Sequence, residues 1–220
     1  MKDAFACPEC GSGRISPSRD TLVCESCGHR FWTAEEAPAR ELQQLSKRAA
    51  ELSLAGRTAD AEASFRKAVE LCRGYADGSP DAFLPHLSAA LINLGDLLFA
   101  EGRDGEAEPL YREAVGIRRD LAARAPDVFS PGLARGIASL ADLLKRDGKL
   151  DKAERLYREA LDLWAEPAAG RPFGHLAEVA GMIVAIAELL IDTGRVHEAE
   201  EFMRMAQDLS YALREIKEEL

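Results

Sequence analysis

Four cysteines are spaced to hold a metal. Cys7-Pro8-Glu9-Cys10-Gly11 and Cys24-Glu25-Ser26-Cys27-Gly28 are two C-x-x-C-G knuckles with thirteen residues between their inner cysteines. In each knuckle two thiolates turn toward one point, and the glycine that follows permits the tight backbone turn. Four soft sulfur ligands suit tetrahedral Zn²⁺. All four ligands are protein sulfurs, so no position is left for water or substrate, and a site closed in this way is structural. The rival chemistry is a redox dithiol. That usually needs a single C-x-x-C at a helix N-terminus, which lowers one thiol pKa, and two matched knuckles argue against it. His29, beside Cys27, is read as an exposed strand residue and not as a ligand.

No other constellation points to catalysis. The remaining histidines, His86, His175 and His197, are scattered, and no H-E-x-x-H, phosphate loop or nucleophile elbow is present. Gly132, Gly136, Gly170 and Gly174 are too dispersed to cradle a phosphate. An enzyme is therefore not expected. The fifth cysteine, Cys72, is read as a small core residue.

The elements around the cysteines are short. Arg14-Ile15-Ser16-Pro17 and Thr21-Leu22-Val23 read as strands flanking Ser18-Arg19-Asp20, with His29-Arg30-Phe31-Trp32 as a closing strand. Phe31 and Trp32 point to opposite sides of such a strand, so one can cover the knuckles while the other faces outward. A module of about 30 residues has too little core to fold without a metal staple.

Beyond residue 34 the chain is periodic. Gly56, Gly102, Gly148 and Gly194 stand 46 residues apart, and each is followed by a basic residue: Arg57, Arg103, Lys149 or Arg195. Glu62, Glu108, Glu154 and Glu200 follow, then Phe65, Tyr111, Tyr157 and Met203, then Ala68, Ala114, Ala160 and Ala206. A fixed period of this length marks a repeat array whose units cannot bury their apolar faces alone and must stack. Each unit reads as two helices separated by its glycine. The first helices carry Leu91, Leu94 and Leu98; Ile137, Leu140 and Leu144; and Ile183, Ile186 and Leu190. Boundaries are expected at about 39–79, 80–125, 126–171 and 172–220 within an array over 35–220, after a metal module over 1–34.

The paired knuckles over about 5–33 resemble a zinc ribbon. The array, with L-x2-L-G-x2-L followed by A-x3-Y and a second alanine, resembles the tetratricopeptide repeat from about 39 to 218. That family's usual unit is 34 residues, and twelve more are inserted here. Their content repeats: Pro80-Asp81-Ala82-Phe83-Leu84-Pro85 matches Pro126-Asp127-Val128-Phe129-Ser130-Pro131, with Pro172-Phe173 a shortened echo. Long units with Leu156-Tyr157-Arg158-Glu159-Ala160-Leu161 are similar to the kinesin-light-chain type. The inserted prolines are expected to break the helix and the phenylalanines to tuck into the seam between units. The fold implied is all-α: a right-handed superhelical solenoid of four helix pairs, preceded by a small β-rich zinc ribbon.

The resemblance also implies that the first helices line a concave groove. Their outward stripes run through Gln43, Ser46, Lys47 and Ala50; Ala89, Ile92, Asn93, Asp96 and Phe99; Arg135, Ala138, Ser139, Asp142, Lys145 and Arg146; and Val184, Glu188, Ile191 and Asp192. Ile92, Phe99, Val184 and Ile191 are expected to stand exposed among charges, which favours a peptide groove over a merely solvated face. Lys47, Asn93 and Arg135 match in part a set with which one subclass of the family grips a C-terminal carboxylate.

Composition narrows the partner. The formal net charge is −10, and the charges of residues 1–34 cancel, so the surplus acid lies in the repeats. Binding a phosphate backbone draws on Lys and Arg, so nucleic acid is not expected. No apolar run approaches the ~20 residues of a membrane span, the first residues do not read as a signal peptide, and the cysteine usage fits a reducing cytoplasm. The expected function is a cytoplasmic, non-enzymatic adaptor that binds a protein or peptide in its groove and carries one structural Zn²⁺. The alternatives are a nucleic-acid-associated regulator whose ribbon touches DNA or RNA, and a purely architectural oligomer. A homodimer through the final helix is expected from the stripe Phe202, Ala206, Leu209, Leu213, Ile216 and Leu220, with Met205 and Ala212 on a neighbouring face.

Metal analysis of the purified chain is expected to find one Zn²⁺ bound by Cys7, Cys10, Cys24 and Cys27. Chelation or Cys24→Ser should unfold the N-terminal module and leave most helical circular dichroism, because repeat units depend mainly on their neighbours. Loss of all helicity would show that the two parts do not fold separately.

Overall fold

The computed structural model describes residues 15–18, 21–26, 30–31, 36–165 and 176–218. Cys7, Cys10, Cys27, His29, Trp32 and the Pro172-Phe173 echo lie outside them. The chain divides into two compact units, Met1–His86 and Leu87–Leu220.

In the first unit, β1 (Ile15–Ser18), β2 (Thr21–Cys24) and β3 (Arg30–Phe31) form an antiparallel sheet in the order β1-β2-β3. Ile15 lies opposite Cys24 and Leu22 opposite Phe31. The helices α1 (Glu36–Leu54) and α2 (Thr58–Ala76) follow and pack as a hairpin. Leu42 and Ala49 of α1 and Ala61, Phe65, Ala68, Val69 and Cys72 of α2 are buried. Arg48, which replaces the leucine of other units, is exposed.

The second unit holds α3 from Leu87 on (Pro80–Ala100 in full), α4 (Asp104–Arg124), α5 (Pro126–Arg146), α6 (Leu150–Ala165), α7 (Leu176–Asp192) and α8 (Val196–Glu218). The expected core positions are filled: Leu91, Leu94 and Leu98; Ile137, Leu140 and Leu144; Ile183, Ile186 and Leu190 are all buried. Between α3 and α4 the approach is close enough to require a glycine. A Cβ on Gly95 would lie 2.6 Å from the Tyr111 ring.

The periodic glycines close each hairpin. Gly56, Gly102, Gly148 and Gly194 have φ of 71°, 75°, 72° and 76°, the left-handed region that favours glycine. The residue after each donates its N–H back across the turn: Arg57 to Leu52 O at 2.9 Å, Arg103 to Leu98 O at 2.9 Å, Lys149 to Leu144 O at 2.9 Å and Arg195 to Leu190 O at 2.7 Å. These bonds satisfy helix-end carbonyls that would otherwise lack partners. The basic side chains at the same place then pair forward with Asp60, Glu106 and Glu198 in three of the four turns.

Two expectations are refined. The inserted prolines mark both the end of one helix and the start of the next: Ala125 before Pro126 is extended, with φ −145°, and α4 stops at Arg124. Pro80 and Pro126 are the first residues of α3 and α5, and Pro85 and Pro131 sit early within them. A proline at the first helical position sacrifices no hydrogen bond, and its fixed φ suits the helix. The insertion thus lengthens the first helices to 21 residues in α3 and α5. Phe83 is buried against the Tyr75 ring, whereas Phe129 is half-buried. Second, α3 is long and apolar enough to cross a membrane by length and composition. Its apolar residues Leu91, Ile92, Leu94 and Leu98 are instead buried within the protein.

Cys72 is a core residue, 1 % exposed, and burial pushes its thiol up to about 11 from 9.0. A raised folded pKa contributes stability below pH ~9 that is lost as pH climbs toward 11. Mass-spectrometric mapping after maleimide treatment at pH 8 should find Cys72 labelled about 100-fold more slowly in the native chain than in denaturant. Comparable rates would show that the core opens at this position.

Candidate peptide-binding face

Within the second unit the first helices α3, α5 and α7 are tied side by side by charge. Arg135 of α5 reaches Asp96 of α3 at 3.1 Å and Asn93 Oδ1 at 3.4 Å. Lys145 of α5 pairs with Glu188 of α7 at 2.5 Å. Asp96, Asp142 and Glu188 occupy one repeat position, 46 residues apart. A row of carboxylates therefore crosses three helices at one level.

Two of these carboxylates are held from beneath. Tyr111 O–H donates to Asp96 Oδ1 at 2.8 Å, and Tyr157 O–H donates to Asp142 Oδ1. Both rings are buried, and both phenols are pushed well above their usual range, by burial first and by the adjacent aspartate second. Burial also raises the Asp142 carboxyl, while the Tyr157 hydrogen bond and the Lys145 charge pull it down. The tie is specific to these two hairpins. Repeat position for position, the first unit has Phe65 with Ala50, and the last has Met203 with Glu188. The tyrosines are thus packing residues with a second function that spacing alone did not reveal. The signal was available: tyrosine and aspartate occur and vanish together along the period.

The expected groove residues divide. Asn93, Asp96 and Arg135 come together, as do Lys145 and Glu188. Val184 and Ile191 on α7 are exposed, at 43 % and 48 %. Ile92 is a correction: it is 1 % exposed. Its Cδ1 would lie 3.1 Å from a Cβ on Gly136, so the bare backbone of α5 closes over it. Phe99 is also less open than expected. Its ring is half-buried beneath the Arg146 guanidinium, 3.5 Å from the ring centroid, and Arg146 also donates to Phe99 O at 2.8 Å and pairs with Asp104. A cation over an aromatic face is attracted by the ring quadrupole, so Phe99 joins neighbouring hairpins. Lys47 belongs to the other compact unit, where it is exposed and lies 4.0 Å from Glu51.

Of the four cysteines expected to hold a metal, only Cys24 lies among the described residues. It ends β2, is fully buried, and leads into a turn at Glu25–Ser26. Among the described residues no group of three or more His, Cys, Asp or Glu is placed to hold a metal.

Residues 86–166 match the tetratricopeptide repeat family model. No curated protein matches the chain. Solved structures share its fold. BtubC (BKLC) from P. vanneervenii is 16 % identical with a TM-score of 0.67, over 80 % of this chain and 66 % of that one. The nearly identical TPR-like repeats of a Podosopora anserina protein named for the kinesin light chain are 17 % identical with a TM-score of 0.62, over 80 % and 77 %. The apo form of RapI is 8 % identical with a TM-score of 0.65, over 80 % and 58 %. The chain thus spans just under two thirds of BtubC. Residues 86–166 are thus similar to the tetratricopeptide repeat, and about 80 % of the chain shares the helical-repeat fold of these structures.

Phe99→Ala is expected to destabilise the chain by about 2 kcal/mol, roughly half the loss for a fully buried phenylalanine plus part of its cation contact. Urea unfolding of Phe99→Ala beside Val184→Ala measures this. An unchanged midpoint for Phe99→Ala would return it to the open face.

Proposed function

We propose that the protein is a non-enzymatic cytoplasmic adaptor whose first helices bind a peptide or protein segment. The observation that carries this reading is the pairing of a braced polar row with exposed aliphatics. Asp96, Arg135, Lys145 and Glu188 link three helices into one platform, and Val184 and Ile191 stand out from it uncovered. Preorganised polar groups set orientation without an ordering cost, and exposed apolar side chains supply the burial that drives association. The tetratricopeptide fold supports the same reading, since helical repeats expose extended binding surfaces.

Zinc belongs to this proposal as a staple and not as a reagent. Cys24 is buried at a strand end and opens a turn of the length that the second knuckle requires. Cys7, Cys10 and Cys27 would complete the set. Self-association through α8 is supported by Met203, Met205 and Tyr211, which are all exposed. A dimer by light scattering at high micromolar concentration, converted to monomer by Tyr211→Glu, is the expected result.

Selection of a random peptide library against the intact chain tests the groove. Enriched peptides should lose binding at least about tenfold to Val184→Ser with Ile191→Ser, while the melting temperature stays within a degree or two. Peptides indifferent to both substitutions would place binding elsewhere.

A further inference from the structure

The second-helix position that holds buried Cys72 in the first repeat holds a cation in the second. Cys72, Arg118, Trp164 and Ser210 are equivalent by the 46-residue period. Cys72 is buried in its hairpin. At the first-helix position of the same repeats, Leu42 and Ala134 are buried apolar residues, but the equivalent in the second repeat is Ser88, 1 % exposed. Arg118 Nε donates to Ser88 Oγ at 3.0 Å. Two residues of the second repeat have thus become polar together.

The guanidinium of Arg118 is only half-buried, and the fold makes room for its outer end. It passes over Gly132 of α5, where any Cβ would collide with Nη1. Gly132 and Arg135 are three residues apart on α5 and therefore neighbours on its surface. Arg135 is charged and near enough to make Arg118 less basic, an effect added to that of burial, which together bring it down to about 10. Arg135 has Asp96 as its partner. No carboxylate among the described residues lies within ion-pair distance of Arg118, whose hydrogen bond goes to a neutral hydroxyl. A cation removed from water beside a like charge is costly unless an anion meets it.

We propose that Arg118, with Arg135 beside it, forms a subsite that receives the carboxylate of an acidic side chain in a bound peptide. It rests on the reading of this face as a peptide groove. A planar guanidinium offers paired donors that match a carboxylate. Asp96, Asp142 and Glu188 on the neighbouring stripe, and the net charge of −10, oppose a polyphosphate chain but admit a single carboxylate. Gly132 is then the residue that sets the guanidinium's position, and Ser88 the one that orients it.

The Arg118 Nε–Hε resonance of the full-length chain reports on the site directly. Titration with acetyl-Gly-Glu-Gly-amide should move it saturably, while acetyl-Gly-Gln-Gly-amide and sodium chloride at equal ionic strength should not. Arg118→Met should weaken binding of the glutamate peptide by roughly tenfold or more, read from backbone shifts on α3 and α5. Gly132→Ala, which pushes aside only a flexible side-chain end, should weaken it in the same direction with the fold intact. Equal responses to the two peptides, or equal affinity in Arg118→Met, would overturn the subsite. So would saturable binding of inorganic phosphate in place of the glutamate peptide. Library peptides that need Val184 and Ile191 but ignore Arg118 would sink the subsite and leave the groove standing.

Discussion

The left-handed glycine at the end of each first helix is the constraint on which the repeat rests. Only at φ near +70° can the chain reverse within so few residues while the next N–H caps a carbonyl of the last helical turn. Any side chain there is strained, which is why glycine recurs without substitution at all four places. Because the turn is the same each time, the residues just beyond it recur in the same place, and Ala61, Ala107, Ala153 and Ala199 are all buried.

Much of this was legible because the determinants are local. The glycine turn, the leucine and isoleucine spacing of the first helices and the alanines of the second are set within one hairpin, and each lies where the pattern puts it. What the pattern misjudged depends on neighbours. The inserted Pro80-Asp81 and Pro126-Asp127 contain the residues that end a helix and equally those that begin one. Direction was decided by the helix that follows, not by the prolines themselves. Ile92 has the periodicity of an outward residue, but Gly136, a whole unit away in sequence, removes the side chain that would have kept α5 off it. Phe99 likewise depends on Arg146 from the next hairpin.

The charged face shows the same division between local and distant causes. Pairs such as Arg112–Glu108 and Arg158–Glu154 follow from helical spacing and are read directly from the sequence. Arg112–Glu108 is exposed enough to contribute little to stability, whereas Glu154 is largely buried and also receives Arg195. The pairs that define the candidate site, Arg135–Asp96 and Lys145–Glu188, join residues about forty positions apart. Their role is to fix the relative placement of helices more than to add energy, and they work with the Tyr111 and Tyr157 hydroxyls that hold two of the aspartates.

Those hydroxyl ties stop short of the last hairpin, where Met203 stands in for tyrosine and is 47 % exposed. In a chain of stacked units, local opening is governed by the interfaces a unit possesses. The α7–α8 pair therefore lacks a tie that the two hairpins before it possess. Val184 and Ile191 sit on that same pair. A ligand that covers them would supply restraint that the hydroxyl ties give the other hairpins, so that occupancy and local order rise together.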